Sequence, residues 1–179
     1  HRNDVRLIFT AHSIPTAMAE QSPYVAQLRE ACALVVDRLR ERGLGASVPN
    51  AWELAFQSRS GPTQQPWLGP DIQDRLGQLH QAGVGSVVIA PIGFLLDCME
   101  TVYDLDVEAA ERCDELGIHM VRAPAVGSHP RLVRMIRELI CERLDPASPR
   151  LALGSLGPWP DECPADCCMN ATSEARADR

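Results

Sequence analysis

The run Val87-Val88-Ile89-Ala90-Pro91-Ile92 carries no polar side chain and sits between two helical patterns. Apolar residues without alternation suit a strand buried on both faces, as in a parallel sheet covered by helices. Parallel neighbours need crossovers, so the chain around this strand must supply helices. It does so repeatedly. Residues 6–11 form a first apolar strand, and residues 24–42 carry Val25, Leu28, Ala31, Cys32, Val35, Val36 and Leu39 at helical spacing, with Gly43 as the stop. Residues 52–57 alternate as a second strand, and residues 58–70, rich in proline and glycine, form a long loop. Asp71 opens a second helix through Ile72, Leu76 and Leu79, ending near Gly83. The third strand spans residues 84–92 and the third helix residues 97–116, closed by Gly117. Residues 118–123 form the fourth strand and residues 130–144 the fourth helix.

Four such repeats predict an α/β domain over residues 1–145. Its core is an open parallel four-stranded sheet with helices on both faces. Residues 146–179, rich in Pro, Cys and acidic side chains, form an irregular C-terminal extension. In open parallel sheets the ligand lies beyond the carboxyl ends of the strands. The first three strand ends lead into His12, into residues 58–70 and into residues 93–100, so topology places all three on one rim.

A net charge of −7 argues against nucleic acid as a partner. No run reaches the roughly 20 apolar residues of a transmembrane segment, and no export signal opens the sequence, which predicts a cytoplasmic protein. The chain opens on His1 without an initiator Met and reads as a fragment or a processed product. No G-x-G-x-x-G or G-K-[ST] follows any strand, which disfavours a dinucleotide or P-loop enzyme.

At the rim, the His12 imidazole can accept a proton near neutral pH or bind a divalent metal. Asp97, Glu100, Asp104 and Glu108 fall at helical spacing, on one face of the third helix. Such a row is either a solvated acidic face or, sunk among Met99, Val102, Tyr103 and Leu105, a relay for protons or a hard cation. Of the seven cysteines, Cys32, Cys98, Cys113 and Cys141 lie in helical patterns and are expected to be packed thiols. Cys163, Cys167 and Cys168 cluster in the extension, where a chain without an export signal suggests metal before disulfide.

Three motifs then carry a resemblance. Phe9-Thr10-Ala11-His12-Ser13-Ile14-Pro15 comes first. Phe56-Gln57-Ser58-Arg59-Ser60-Gly61-Pro62 follows, with Pro66-Trp67-Leu68-Gly69-Pro70. Pro91-Ile92-Gly93-Phe94 leads to Asp97-Cys98-Met99-Glu100-Thr101-Val102-Tyr103-Asp104. In order and separation they resemble the ferrochelatase family across residues 6–144. The resemblance implies His12 and Glu100 as the catalytic pair acting on a porphyrin, with ferrous iron as co-substrate. It leaves open which of the two takes the pyrrole protons and which receives iron. Ser13, Arg59, Trp67 and Phe94 become candidates for porphyrin contact, and Asp104 and Glu108 extend a path for iron. Cys98 stands where the family commonly has His, which puts a relay through that position in doubt.

The resemblance covers only the family's second domain, so it implies an absent N-terminal domain as partner and little activity for this half alone. The tail resembles the C-terminal part of a [2Fe–2S] site, with Cys163, Cys167 and Cys168 as three ligands and the fourth outside this chain; zinc or free thiols are the alternatives. The W-E-L-A-F-Q-S-R-S-G-P phrase and the tail point to coproporphyrin III rather than protoporphyrin IX. An inactive fragment or iron–sulfur module, and a cobalt or nickel chelatase, are the rival readings.

Overall fold

The computed structural model describes residues 5–44, 52–62 and 64–162. Four strands form one sheet in the order β2-β1-β3-β4: β1 (Val5–His12), β2 (Trp52–Gln57), β3 (Ser86–Ala90) and β4 (His119–Arg122). Every pair is parallel, with Phe9 opposite both Leu54 and Ala90. The expected fold class therefore holds.

Strand alternation divides the core. Ile8, Ala55, Val87 and Ile89 point to one face, against Ile72, Leu76 and Leu79 of α3 (Ile72–Gln81). On that face they also meet Leu105, Ala109 and Cys113 of a longer helical rod. Leu7, Phe9, Ala11, Leu54 and Phe56 point to the other face, against Leu28, Cys32 and Val36 of α2 (Tyr24–Leu39). Asp71 caps α3 by accepting a hydrogen bond from the Gln73 amide at 2.8 Å. Arg75 grips the Glu53 carboxylate with two donors, tying α3 to β2.

The rod after β3 differs from the simple helix expected over residues 97–116. It begins at Met99, as α4 (Met99–Thr101), widens into a π-helical stretch at Val102–Ala109, and ends as α5 (Ala110–Leu116). Asp97 and Cys98 precede it, because the Asp97 carboxylate is drawn to Arg122 and Cys98 takes the extended capping position. A short helix, α1 (Thr16–Glu20), stands in the loop after His12, where no periodicity announced it. Arg40–Leu44 closes α2 with a wider turn in place of further α-helix.

The last helix, α6 (Pro130–Leu144), has Pro130 in its first turn and His129 as cap, yet none of its residues is buried. Ile136, Leu139 and Ile140 all lie open. Residues 146–162 form neither helix nor strand. They fold back, with Ser155 donating to Glu30 on α2 at 2.6 Å and Arg143 donating to the Asp161 carbonyl at 2.7 Å.

Leu76→Ala, at a fully buried position, is expected to destabilise the domain by about 2–5 kcal/mol in urea unfolding. Ile140→Ala on α6, 54% exposed, is expected to change it by less than about 0.5 kcal/mol. Equal losses would contradict this division of the core.

Candidate active site

His12 is the last residue of β1, paired in register with Gln57 at the end of β2. Its backbone is held by the Tyr24 hydroxyl, which donates to the His12 carbonyl at 2.8 Å. Burial pushes the Tyr24 phenol above its usual pKa, which keeps it protonated as a donor. The ring is held too, since His12 Nδ1 lies 2.6 Å from the Ser13 carbonyl. A carbonyl only accepts, so Nδ1 carries a proton and Nε2 is the nitrogen left to face away from the backbone. There it meets Glu100 Oε1 at 3.9 Å, with the two side chains 30% and 57% exposed. The contact is too long and too open to add much stability. It does leave two proton acceptors facing one opening.

The loop after β3 lies directly on the tip of β1. The Gly93 amide donates to the Thr10 carbonyl at 3.1 Å, and a β-carbon at residue 93 would stand 2.6 Å from the Ala11 Cβ. Only glycine fits this approach. It brings the half-buried Phe94 ring to 6.5 Å from the His12 ring, tilted by 43°. Leu95, Leu96 and Met99, between Phe94 and Glu100 in the chain, are exposed, as is Tyr103 a turn later. His12 and Glu100 thus share a rim rich in apolar surface.

The remaining expected site residues fall in different places. Ser13 is only 2% exposed, and its hydroxyl donates to the Leu68 carbonyl at 2.9 Å. In this structure it fastens the 58–70 loop to the strand tip, and its hydroxyl is not presented to the rim. Trp67 bridges to Pro15 and lays its indole over Gly61, with a buried Nε1–H that has no acceptor among the described residues. Arg59 is exposed on the loop that follows β2.

The acidic row does not stand as one solvated face. Asp97 is outside the helix and pairs with Arg122 at 2.7 Å. Asp104 accepts from Gln57 Nε2 at 3.3 Å and from the Ser58 hydroxyl, so its carboxylate is anchored to β2. Burial raises the nearby Asp71 carboxyl above its usual range despite the Gln73 amide, and the Asp74 and Asp104 charges add to the effect. Glu100 and Glu108 are left facing outward. Among the described residues, no three His, Cys, Asp or Glu side chains converge as a metal cage. Sequence spacing missed Tyr24, Arg122 and the anchoring role of Gln57 and Ser58; the bare occurrence of Arg122 at a strand end was the only signal for it.

Cys98, expected to be packed, is exposed because it precedes the helix. Its Sγ lies 3.3 Å from Thr101 Oγ1, and that contact lowers its pKa. Cys163, Cys167 and Cys168 lie outside the described residues.

With this geometry in place, comparison with known proteins defines the class. The family model for ferrochelatases matches residues 1–144, and the chain belongs to the ferrochelatase family. It is 50% identical over 165 residues to a protein of Rhodopirellula baltica named ferrochelatase, covering 92% of this chain and 45% of that one. It is 47% identical to a coproporphyrin III ferrochelatase of Frankia alni, covering 94% of this chain and 44% of the relative. A coproporphyrin III ferrochelatase of Streptomyces griseus is 44% identical, over 93% of this chain and 48% of its own length. The chain spans about half the length of these relatives.

Thiolate is the reactive form of cysteine, so accessibility and pKa order the reactivity. Burial pushes Cys32 up to about 12 and Cys113 up to about 11. At pH 8, iodoacetamide is expected to alkylate Cys98 well before Cys32 or Cys113, as read by peptide mapping. Faster labelling of either core thiol would contradict the packing described.

Proposed function

We propose that this chain is the catalytic half of an enzyme that inserts ferrous iron into a porphyrin during haem synthesis, with coproporphyrin III as substrate. The observation that carries this reading is the 3.9 Å approach of His12 Nε2 to Glu100 Oε1 on the open rim beyond the strands. Metalation removes two pyrrole protons as Fe²⁺ enters, with no change of oxidation state and no covalent intermediate. His12 Nε2, left free by its Nδ1 hydrogen bond, takes a pyrrole proton and passes it to the more exposed Glu100, which returns it to water. Emptied again, the pair serves the second proton. Glu100 and, further out, Glu108 offer carboxylate oxygens to the incoming ferrous ion, a substrate here. Phe94 packs beside the macrocycle. Arg59 is assigned to a propionate, and Trp67 to the ring, from the loop that Ser13 fastens. Asp104 acts on the iron path through the position of the helix, since its own oxygen is taken by β2.

The names of the Frankia and Streptomyces relatives favour coproporphyrin III over protoporphyrin IX as the substrate. The chain's extent, set against relatives about twice as long, supports a first half as partner. The open apolar face of α6 is the kind of surface that such a half would cover. A cytoplasmic setting fits the free thiols at Cys32, Cys98, Cys113 and Cys141, and no helix among the described residues is long and apolar enough to cross a membrane.

The tail cysteines suit a [2Fe–2S] group only in part. Three thiolates are present where four ligands are needed, and Cys32 and Cys113 are committed to the core. We therefore infer at most three ligands from Cys163, Cys167 and Cys168, and no step of the metalation runs through them. A visible absorption spectrum of the anaerobically purified chain separates cluster from zinc.

The test is a fluorescence titration with coproporphyrin III and protoporphyrin IX. This half is expected to quench coproporphyrin III in preference, to lose that quenching in His12→Ala, and to turn over little by itself. Fused behind the first half of the Rhodopirellula baltica relative, it is expected to insert iron, and Glu100→Gln is expected to slow insertion about 10²–10⁴-fold. Quenching that ignores His12→Ala, or normal turnover by the isolated half, would overturn the reading.

A further inference from the structure

Arg122 stands at the carboxyl end of β4, the sheet edge opposite β2, with its side chain only 16% exposed. Its guanidinium is fully engaged. Nε and Nη2 donate to the two oxygens of Asp106, each at 2.6 Å, and Nη1 donates to Asp97 Oδ1 at 2.7 Å. The Asp106 contact is a bidentate fork, the strongest and most directional form of such a pair. Asp97 Oδ1 also accepts from the Ala125 amide at 3.2 Å, and the Gly127 amide donates to the Leu95 carbonyl at 2.8 Å. The loop that enters α4 is thereby stapled to the chain that leaves β4.

Glu100 lies three residues after Asp97 and six before Asp106. One guanidinium therefore holds both ends of the segment that carries it. From the other sheet edge, Gln57 and Ser58 hold Asp104. The segment between includes the start of a π-helical stretch, a rare backbone form. Among the described residues, the Glu100 carboxylate makes a loose 3.9 Å approach to His12 and its charge is felt at Cys98, so its place follows largely from where this backbone is held.

We propose that Arg122 is a positioning residue of the site: by gripping Asp97 and Asp106 together it sets where the helix begins and keeps Glu100 within reach of His12. The proposal rests on the reading of His12 and Glu100 as a pair that handles metal and protons. It extends that reading to a residue outside all three motifs.

The test uses this chain with cobalt(II) alone and no porphyrin, so it reads the pair and not turnover. Binding is followed by the paramagnetic broadening of the His12 imidazole signals in NMR spectra. Glu100→Gln and Arg122→Lys are each expected to weaken cobalt binding at His12 about tenfold, the usual loss when a group that orients a ligand is removed. The double variant is expected to lose no more than either single one, because both changes remove the same contact. Lysine keeps the charge without the fork, so an unchanged affinity in Arg122→Lys would overturn the proposal. So would independent losses compounding to about a hundredfold in the double variant. Thermal melts check folding. If Arg122→Lys fails to fold, Asp106→Asn breaks the same fork, and the same two outcomes decide. No effect of Glu100→Gln would overturn the pairing itself. Failure of the porphyrin reading shows separately, as absent coproporphyrin binding with the cobalt result intact.

Discussion

The structure depends on β1 being the strand that both neighbours need. It is paired in parallel on each side, carries core residues to both faces, and ends where the sheet meets water. A side chain placed at that tip inherits the rigidity of the best-buried strand in the domain. His12 has this position, and two local hydrogen bonds, from Tyr24 to its carbonyl and from its own Nδ1 to the Ser13 carbonyl, turn a fixed backbone into a fixed ring. Preorganisation of this kind is what a base needs if it is to take protons without first being oriented.

The partner carboxylate is held differently. Glu100 sits at the start of a helix whose first turns are anchored from both edges of the sheet, by Gln57 and Ser58 through Asp104 and by Arg122 through Asp97 and Asp106. A row of acidic side chains would otherwise repel along the helix. Here the charges at Asp97 and Asp106 meet a cation, Asp104 meets neutral donors, and Glu100 keeps its freedom at the rim. The division gives one sequence pattern two physical roles: carboxylates that hold the helix in place, and carboxylates left open to solvent.

Much of this was legible in the chain itself. Strand order aside, the strands themselves were legible, and the apolar run at Val87–Ile92 reported contact with both layers, Val87 and Ile89 on one and the partly buried Val88, Ala90 and Ile92 on the other. The alternation in Trp52–Gln57 did not report that Leu54 to Gln57 are all buried. The strand-end place of His12 was legible, whereas the pairing of His12 with Glu100 came from the family resemblance and not from any spacing. What periodicity could not report is anything decided by contact between distant segments. The π-helical widening, the exposure of Cys98 ahead of the helix, the burial of Ser13 and the grip of Arg122 all arise where segments leaving different strand ends meet. No spacing rule along one segment encodes that meeting. The open face of α6 is a related case: the helix was legible over residues 130–144, but that none of its residues is buried was not.

The central claim is that His12 and Glu100 face one side of a single bound porphyrin. A crystal structure with coproporphyrin III bound tests it most directly. The macrocycle is expected to lie over the strand tips, with a pyrrole nitrogen about 3–3.5 Å from His12 Nε2 and Glu100 on the same face of the ring. A macrocycle seated elsewhere, such as between α2 and the folded-back tail, or one that separates the two side chains onto opposite faces, would contradict it.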